Sequence, residues 1–193
     1  QWLRGKHELS FCVGGKSVMK TLFRTPAIVG LVAWFAGLVD FLLPKRDRRI
    51  CYISDPDCSD NPLALFVYQI SARPDFEAVW LVRGEVEAAR KRLKGLLPAS
   101  ASVGFSIVRK NSFKGLWTVF TSRALVLSHA SYRFLWSSHR RVSLNLWHGM
   151  PLKRIGLMDG NDVRMYGKIT HTIATSHFFA DMVARSFGLE SKQ

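Results

Sequence analysis

Cysteine is scarce in this chain. Cys12, Cys51 and Cys58 form no C-x-x-C pair and no zinc spacing, and an odd number argues against a disulfide framework. A reducing compartment fits that usage. Glycine and proline stay at ordinary levels, 14 and 7 in 193 residues, which excludes collagen and low-complexity tracts. No G-x-G-x-x-G run occurs. The fragment Phe11-Cys12-Val13-Gly14-Gly15-Lys16-Ser17 fails as a phosphate loop, because Ser10 stands where that motif needs a glycine. Acid is also missing over a long stretch: no Asp or Glu lies between Ala88 and Met158, while thirteen Lys or Arg do.

What is present is positive charge and apolar residues. The formal net charge is +14, and the hydrophobic fraction of 48% allows a sizeable core in a chain long enough for one domain, or one and a small extension. Such charge faces something anionic: lipid, nucleic acid or a phosphorylated substrate. The basic run Arg90-Lys91-Arg92 with Lys94 reads either as a solvated helix face or as a surface for polyanion. Gln1 rather than Met begins the chain, and the expectation is an excerpt of a longer protein.

An unbroken apolar run covers Ala27 to Val39 and resumes at Phe41-Leu42-Leu43, with basic residues on both sides. Seventeen helical residues span roughly 25 Å, short of a hydrocarbon core of about 30 Å. Three readings stand: a monotopic helix in an anionic leaflet, a true span, or a buried core helix. The flanking basic clusters favour the first.

From Arg49 onward, short apolar strands alternate with helices. Strands are predicted at Ile50–Ile53, Phe76–Val82, Val103–Val108, Ala124–Leu127, Ser143–Trp147 and Ile169–Ala174. Helices are predicted from Asn61-Pro62, over Glu85–Leu97, after the cap Asn111-Ser112, and over Phe178–Phe187 behind Thr175-Ser176, with Gly188 as terminator. The fold class is α/β: a Rossmann-like, mostly parallel sheet over residues 49–193, preceded by an apolar membrane-associated segment over 1–48. Such sheets take ligands beyond the carboxyl ends of their strands, where the Asp55–Asp60 loop, His129 and His148 fall.

His148 is the candidate catalytic base, since an imidazole accepts a proton near neutral pH. Gly149 is expected to let the backbone turn where a side chain would obstruct, Pro151 to stiffen the restart, and Lys153 and Arg154 to hold phosphate. The bland alternative is a structural histidine in a tight turn. Asn61 reads as a helix cap that also serves as a candidate for positioning acceptor or phosphate, Asp60 as a residue that orients His148 or binds an acceptor hydroxyl, and His129 as a second site residue or a loop histidine. No His/Cys/Asp spacing marks a metal site; a loosely held Mg²⁺ would enter with substrate, and no residue marks its ligands.

The run Trp147-His148-Gly149-Met150-Pro151-Leu152-Lys153-Arg154 resembles the Trp-His-Gly-Thr-Pro-Leu-Lys-Lys-like motif of the CDP-glycerol glycerophosphotransferase family, the teichoic acid primases and polymerases. Met150 replaces a threonine and removes its hydroxyl; Arg154 keeps the charge of a lysine. Ser59-Asp60-Asn61-Pro62, Val79-Trp80-Leu81-Val82 and Ala174-Thr175-Ser176 with Phe178-Phe179 are similar too. The resemblance implies the N-terminal, acceptor-side half of a two-domain glycosyltransferase-B-like fold, with the nucleotide-binding half beyond this chain. It implies peripheral association with the cytoplasmic face of a bacterial membrane. In that setting His148 deprotonates a hydroxyl of a lipid-linked glycerol-phosphate acceptor, which attacks CDP-glycerol and releases CMP. A CDP-ribitol-dependent relative is the alternative within the class. Outside it stands a non-catalytic basic module binding membrane or nucleic acid; Trp80, Trp117 and Trp147 at core-like positions weigh against nucleic acid.

Overall fold

The computed structural model describes residues 26–97, 104–129, 132, 140–147, 149, 154–160 and 169–189. Six strands are described: β1 Arg46–Ile53, β2 Glu77–Val82, β3 Ser106–Arg109, β4 Ser122–Leu127, β5 Val142–Asn145 and β6 His171–Thr172. The helices are α1 Pro26–Leu42, α2 Asp60–Ala72, α3 Val86–Leu96, α4 Phe113–Thr121 and α5 His177–Phe187, with a 3₁₀ turn at Gly156–Asp159. The strands form one sheet in the order β3-β2-β1-β4-β5-β6, and every neighbouring pair is parallel. That is the doubly wound order, whose topological switch point lies between β1 and β4.

Period-two alternation divides the core between two faces. Tyr52, Ala78, Trp80, Val82 and Val126 meet Phe66 and Ile70 of α2 and Ala89 and Leu93 of α3. Tyr52, Phe66 and Trp80 form a three-ring cluster with centroids 5.4–5.7 Å apart. Cys51, Ile53, Val79, Leu81, Val108, Leu125 and Leu127 line the opposite face with Val119 of α4. Strands covered on both sides read as continuous apolar runs, which is why β2 and β4 were plain in the sequence. Burial in this layer pushes the Cys51 thiol up to about 12 and leaves it inert.

Several boundaries differ from expectation. β1 begins at Arg46, where Arg49 reaches Glu77 at 2.7 and 2.9 Å and Thr121 at 2.9 Å. β5 stops at Asn145 because Trp147 turns into the left-handed region (φ 50). β6 is a two-residue edge strand with one neighbour. Trp117 is 45% exposed rather than core; Trp80 is fully buried and Trp147 packs on Phe187. The run from 1 to 25, with the fragment Phe11–Ser17, lies outside the described residues.

Helix α1 is joined to the domain by charge. Small residues Ala33 and Ala36 face inward together with Asp40, which is 1% exposed, and α1 contacts α4. Asp40 pairs with Arg141, just ahead of β5, and with Lys45 at 2.7 Å. Lys45 also donates to the carbonyls of Asp40 and Phe120, both at 2.6 Å. Burial lowers the pKa of Lys45 and of Arg141, against the raising effect of Asp40. Among the described residues no helix is long and apolar enough to cross a membrane.

Candidate functional site

Backbone strain gathers on one side of the molecule. The described non-glycine residues with positive φ are Cys58 (54°), Asp60 (58°), Tyr132 (55°) and Trp147 (50°). All four follow the carboxyl ends of strands: Cys58 and Asp60 after β1, Tyr132 after β4, Trp147 after β5. Non-glycine residues avoid this region unless their surroundings hold them there, and such residues cluster at functional sites. The carboxyl edge is therefore marked by its conformation as well as by topology.

The loop after β1 is fixed mainly by its own polar groups. Ser54 Oγ accepts from Ser59 N at 3.0 Å and donates to Pro56 O at 2.8 Å. Asp57 Oδ2 accepts the backbone N–H groups of Arg83 and Gly84, both at 2.8 Å, and Asp55 pairs with the Arg83 side chain at 2.7 Å. These uses commit Asp55 and Asp57 to structure, whereas Asp60 stands exposed at the start of α2.

Asn61 does something other than cap. The N-cap position of α2 is Ser59, and Asn61 lies inside the first turn. Its Nδ2 donates to Leu146 O at 3.0 Å and Trp147 O at 2.9 Å. The expected cap is thus a tie between the β1 loop and the segment after β5. Asn145 holds that segment from within: its Oδ1 accepts Trp147 N at 2.8 Å, and its carbonyl accepts Thr172 Oγ1 at 2.9 Å. Sequence reasoning passed over Asn145, although an Asn followed two residues later by a backbone turn is a recognisable Asx signal.

His148 and Lys153 lie outside the described residues, between Trp147 and Arg154, which are described. Gly149 is exposed, and a Cβ added there meets nothing within 4 Å. Among the described residues nothing stands where that side chain would go. Arg154 is exposed and leads into the buried Ile155. Gly156 is the glycine with a physical requirement: φ is +58° and an added Cβ would lie 2.1 Å from Ser186 O of α5. It locks the segment after the motif against α5, where Ile155, Ile169, Val183 and Phe187 form a third small core.

His129 is half-buried at the end of β4, across the switch point, with Nδ1 2.8 Å from Ser128 Oγ. A groove of about 990 Å³ runs along β6 and α5, lined by residues including Thr170, Thr172, Ser176 and His177. Asp60, Asn61, His129, Gly149 and Arg154 are not among the described residues that line it. No cluster of three His, Cys, Asp or Glu able to hold a metal occurs among the described residues.

The model of the family "CDP-Glycerol:Poly(glycerophosphate) glycerophosphotransferase" matches residues 36–193. The chain belongs to that family. The match starts inside α1, at residue 36. A teichoic acid glycerol-phosphate transferase of Staphylococcus aureus (strain NCTC 8325 / PS 47) is 31% identical over 112 residues, 58% of this chain and 26% of the relative. The wall teichoic acid polymerase TagF has a similar fold: TM-score 0.62, 17% identity, 94% of this chain and 46% of that one. A variant of TagF soaked with CDPG gives TM-score 0.63 at 14% identity, over 91% of this chain and 44% of that one. The chain thus spans less than half the length of these relatives.

Proposed function

We propose that this chain forms the acceptor-side half of a glycerophosphotransferase that moves glycerol phosphate from CDP-glycerol onto a hydroxyl of a membrane-linked glycerol-phosphate acceptor. The product belongs to teichoic acid or a related cell-surface polymer. The observation that carries this reading is the family match through residues 147–154, in a segment that leaves the carboxyl end of β5.

In the reaction, His148 takes the proton of the acceptor hydroxyl. The freed oxygen attacks the β-phosphorus of CDP-glycerol. The bond from that phosphorus to the bridging oxygen breaks, and CMP leaves with the electron pair. Lys153 and Arg154 offset the charge that builds on the phosphoryl oxygens. Asp60 and His129 face the acceptor from the two sides of the switch point. The test is CMP release by the enzyme as its gene encodes it, with CDP-glycerol and CDP-ribitol compared as donors. His148→Ala should abolish release from the preferred donor. Retention of most turnover would reject the base.

Membrane contact belongs to the same proposal. On α1, Leu31, Trp34, Phe35, Phe41 and Leu42 are each more than 60% exposed. The neighbouring α4 adds Phe113, 82% exposed, and Trp117. Arg140 donates to Phe41 O and lies 5.8 Å from its ring, so a cation borders the apolar face. An amphipathic surface of this kind lies in the headgroup region of an anionic leaflet rather than crossing it. On this reading the protein sits peripherally at the cytoplasmic face of the bacterial cell membrane. Trp34→Glu with Phe35→Glu should release the protein from phosphatidylglycerol vesicles without unfolding it. Unchanged sedimentation with the vesicles would remove α1 from the account.

A further inference from the structure

We infer that Asn61 and Asn145 are positioning residues for the proposed base: together they fix the Leu146–Trp147 turn from which the chain enters position 148. This rests on the proposed role of His148 as base and adds the residues through which the fold controls it.

Three independent features of the turn support the inference. Asn61 Nδ2 is shared between two successive carbonyls, Leu146 O and Trp147 O. One donor fixed to both acceptors sets the orientation of the peptide planes that lead directly into position 148. Next, Trp147 sits at φ 50, where a bulky residue stays only if its neighbours impose it. Asn145 Oδ1 imposes it by accepting Trp147 N at 2.8 Å. Finally, Asn145 is 0% exposed and its Nδ2 has no hydrogen-bond partner. A leucine would fill that space without burying an unsatisfied donor. An amide at this position is therefore a cost to packing, offset by the acceptor it gives the turn. Local rules broken in this way mark positions shaped by function. Asn61 is exposed, and its reach across 85 residues ties the switch-point loop to the turn.

The experiment measures CMP release, KM for CDP-glycerol and thermal unfolding in the enzyme as its gene encodes it. Asn61→Leu removes both bonds at an exposed site. A loosened base costs on the order of 100-fold in kcat, with KM changed less than about two-fold because donor binding is untouched. The double variant Asn61→Leu/His148→Ala should be no slower than His148→Ala alone, since Asn61 acts only through residue 148. At position 145 the two readouts should rank oppositely. Asn145→Ser keeps a short acceptor for the amide two residues on and should retain at least ten times the kcat of Asn145→Leu, although the leucine protein melts at the same or a higher temperature. If His148→Ala is inactive and Asn61→Leu keeps full kcat, positioning is overturned while the base stands. Should activity at position 145 follow melting temperature instead, Asn145 is structural only. Turnover surviving His148→Ala overturns both ideas.

Discussion

At its amino end β5 is held by charge; at its carboxyl end it is held by neutral amides. Arg141, just before the strand, is 4% exposed and clamped by Asp40, with Lys45 on the same carboxylate. Asn145 to Trp147, at the other end, are fixed by the carboxamides of Asn61 and Asn145. The ion cluster is buried and joins residues 101 positions apart, which suits a joint between α1 and the sheet. Amides are directional and uncharged. They fix the peptide planes of a turn without bringing a charge to it.

The largest effect on this comparison should come from the charged end. Asp40→Ala leaves Lys45 and Arg141 buried without their carboxylate and should cost about 3–5 kcal/mol, read from denaturant unfolding. A loss below about 1 kcal/mol would show that the cluster is not a joint. Gly156→Ala strains the other flank of the turn, where φ is +58° and Ser186 O is 2.1 Å from the added carbon. A loss of about 1–3 kcal/mol is expected, with a drop in kcat because the segment after the motif shifts. Stability falling with kcat unchanged would confine Gly156 to the third core.

The smallest effect concerns the charge pair between β1 and β2. Arg49, by its hydrogen bonds, holds the Glu77 carboxyl below its ordinary range. A carboxylate with a depressed folded pKa stabilises above its unfolded pKa, and the benefit disappears as pH falls through the folded one. Glu77 is partly exposed, so Glu77→Gln should cost no more than about 1 kcal/mol at pH 7 and nothing below the folded pKa. An equal loss at both pH values would trace the effect to packing.

Much of this fold was legible because the sheet is parallel and buried on both sides, so β2 and β4 appear as unbroken apolar runs. Local capping signals were equally readable. Ser112 and Ser176 accept from the amides of Gly115 and Phe179, and Gly188 ends α5 in the left-handed region. Long-range ties were not legible. Nothing near Asn61 reveals that its amide spends itself on carbonyls 85 and 86 positions away, and the left-handed residues before it displaced the expected cap. Asp40 looked like an interruption of an apolar run, because its partner Arg141 lies 101 residues on. The basic stretch from 88 to 158 has no acid of its own, and its described ion pairs reach outside it: Arg141 to Asp40 and Arg109 to Glu85 at long range, Arg90 to Glu87 one turn away.

The pH dependence of kcat/KM for CMP release tests the central claim most directly. If the imidazole after the Leu146–Trp147 turn is the base, activity falls on the acid side with a limb near the histidine range, about pH 6.5. Residual activity of His148→Ala should then be flat across that range. A limb that persists unchanged in His148→Ala would contradict the account.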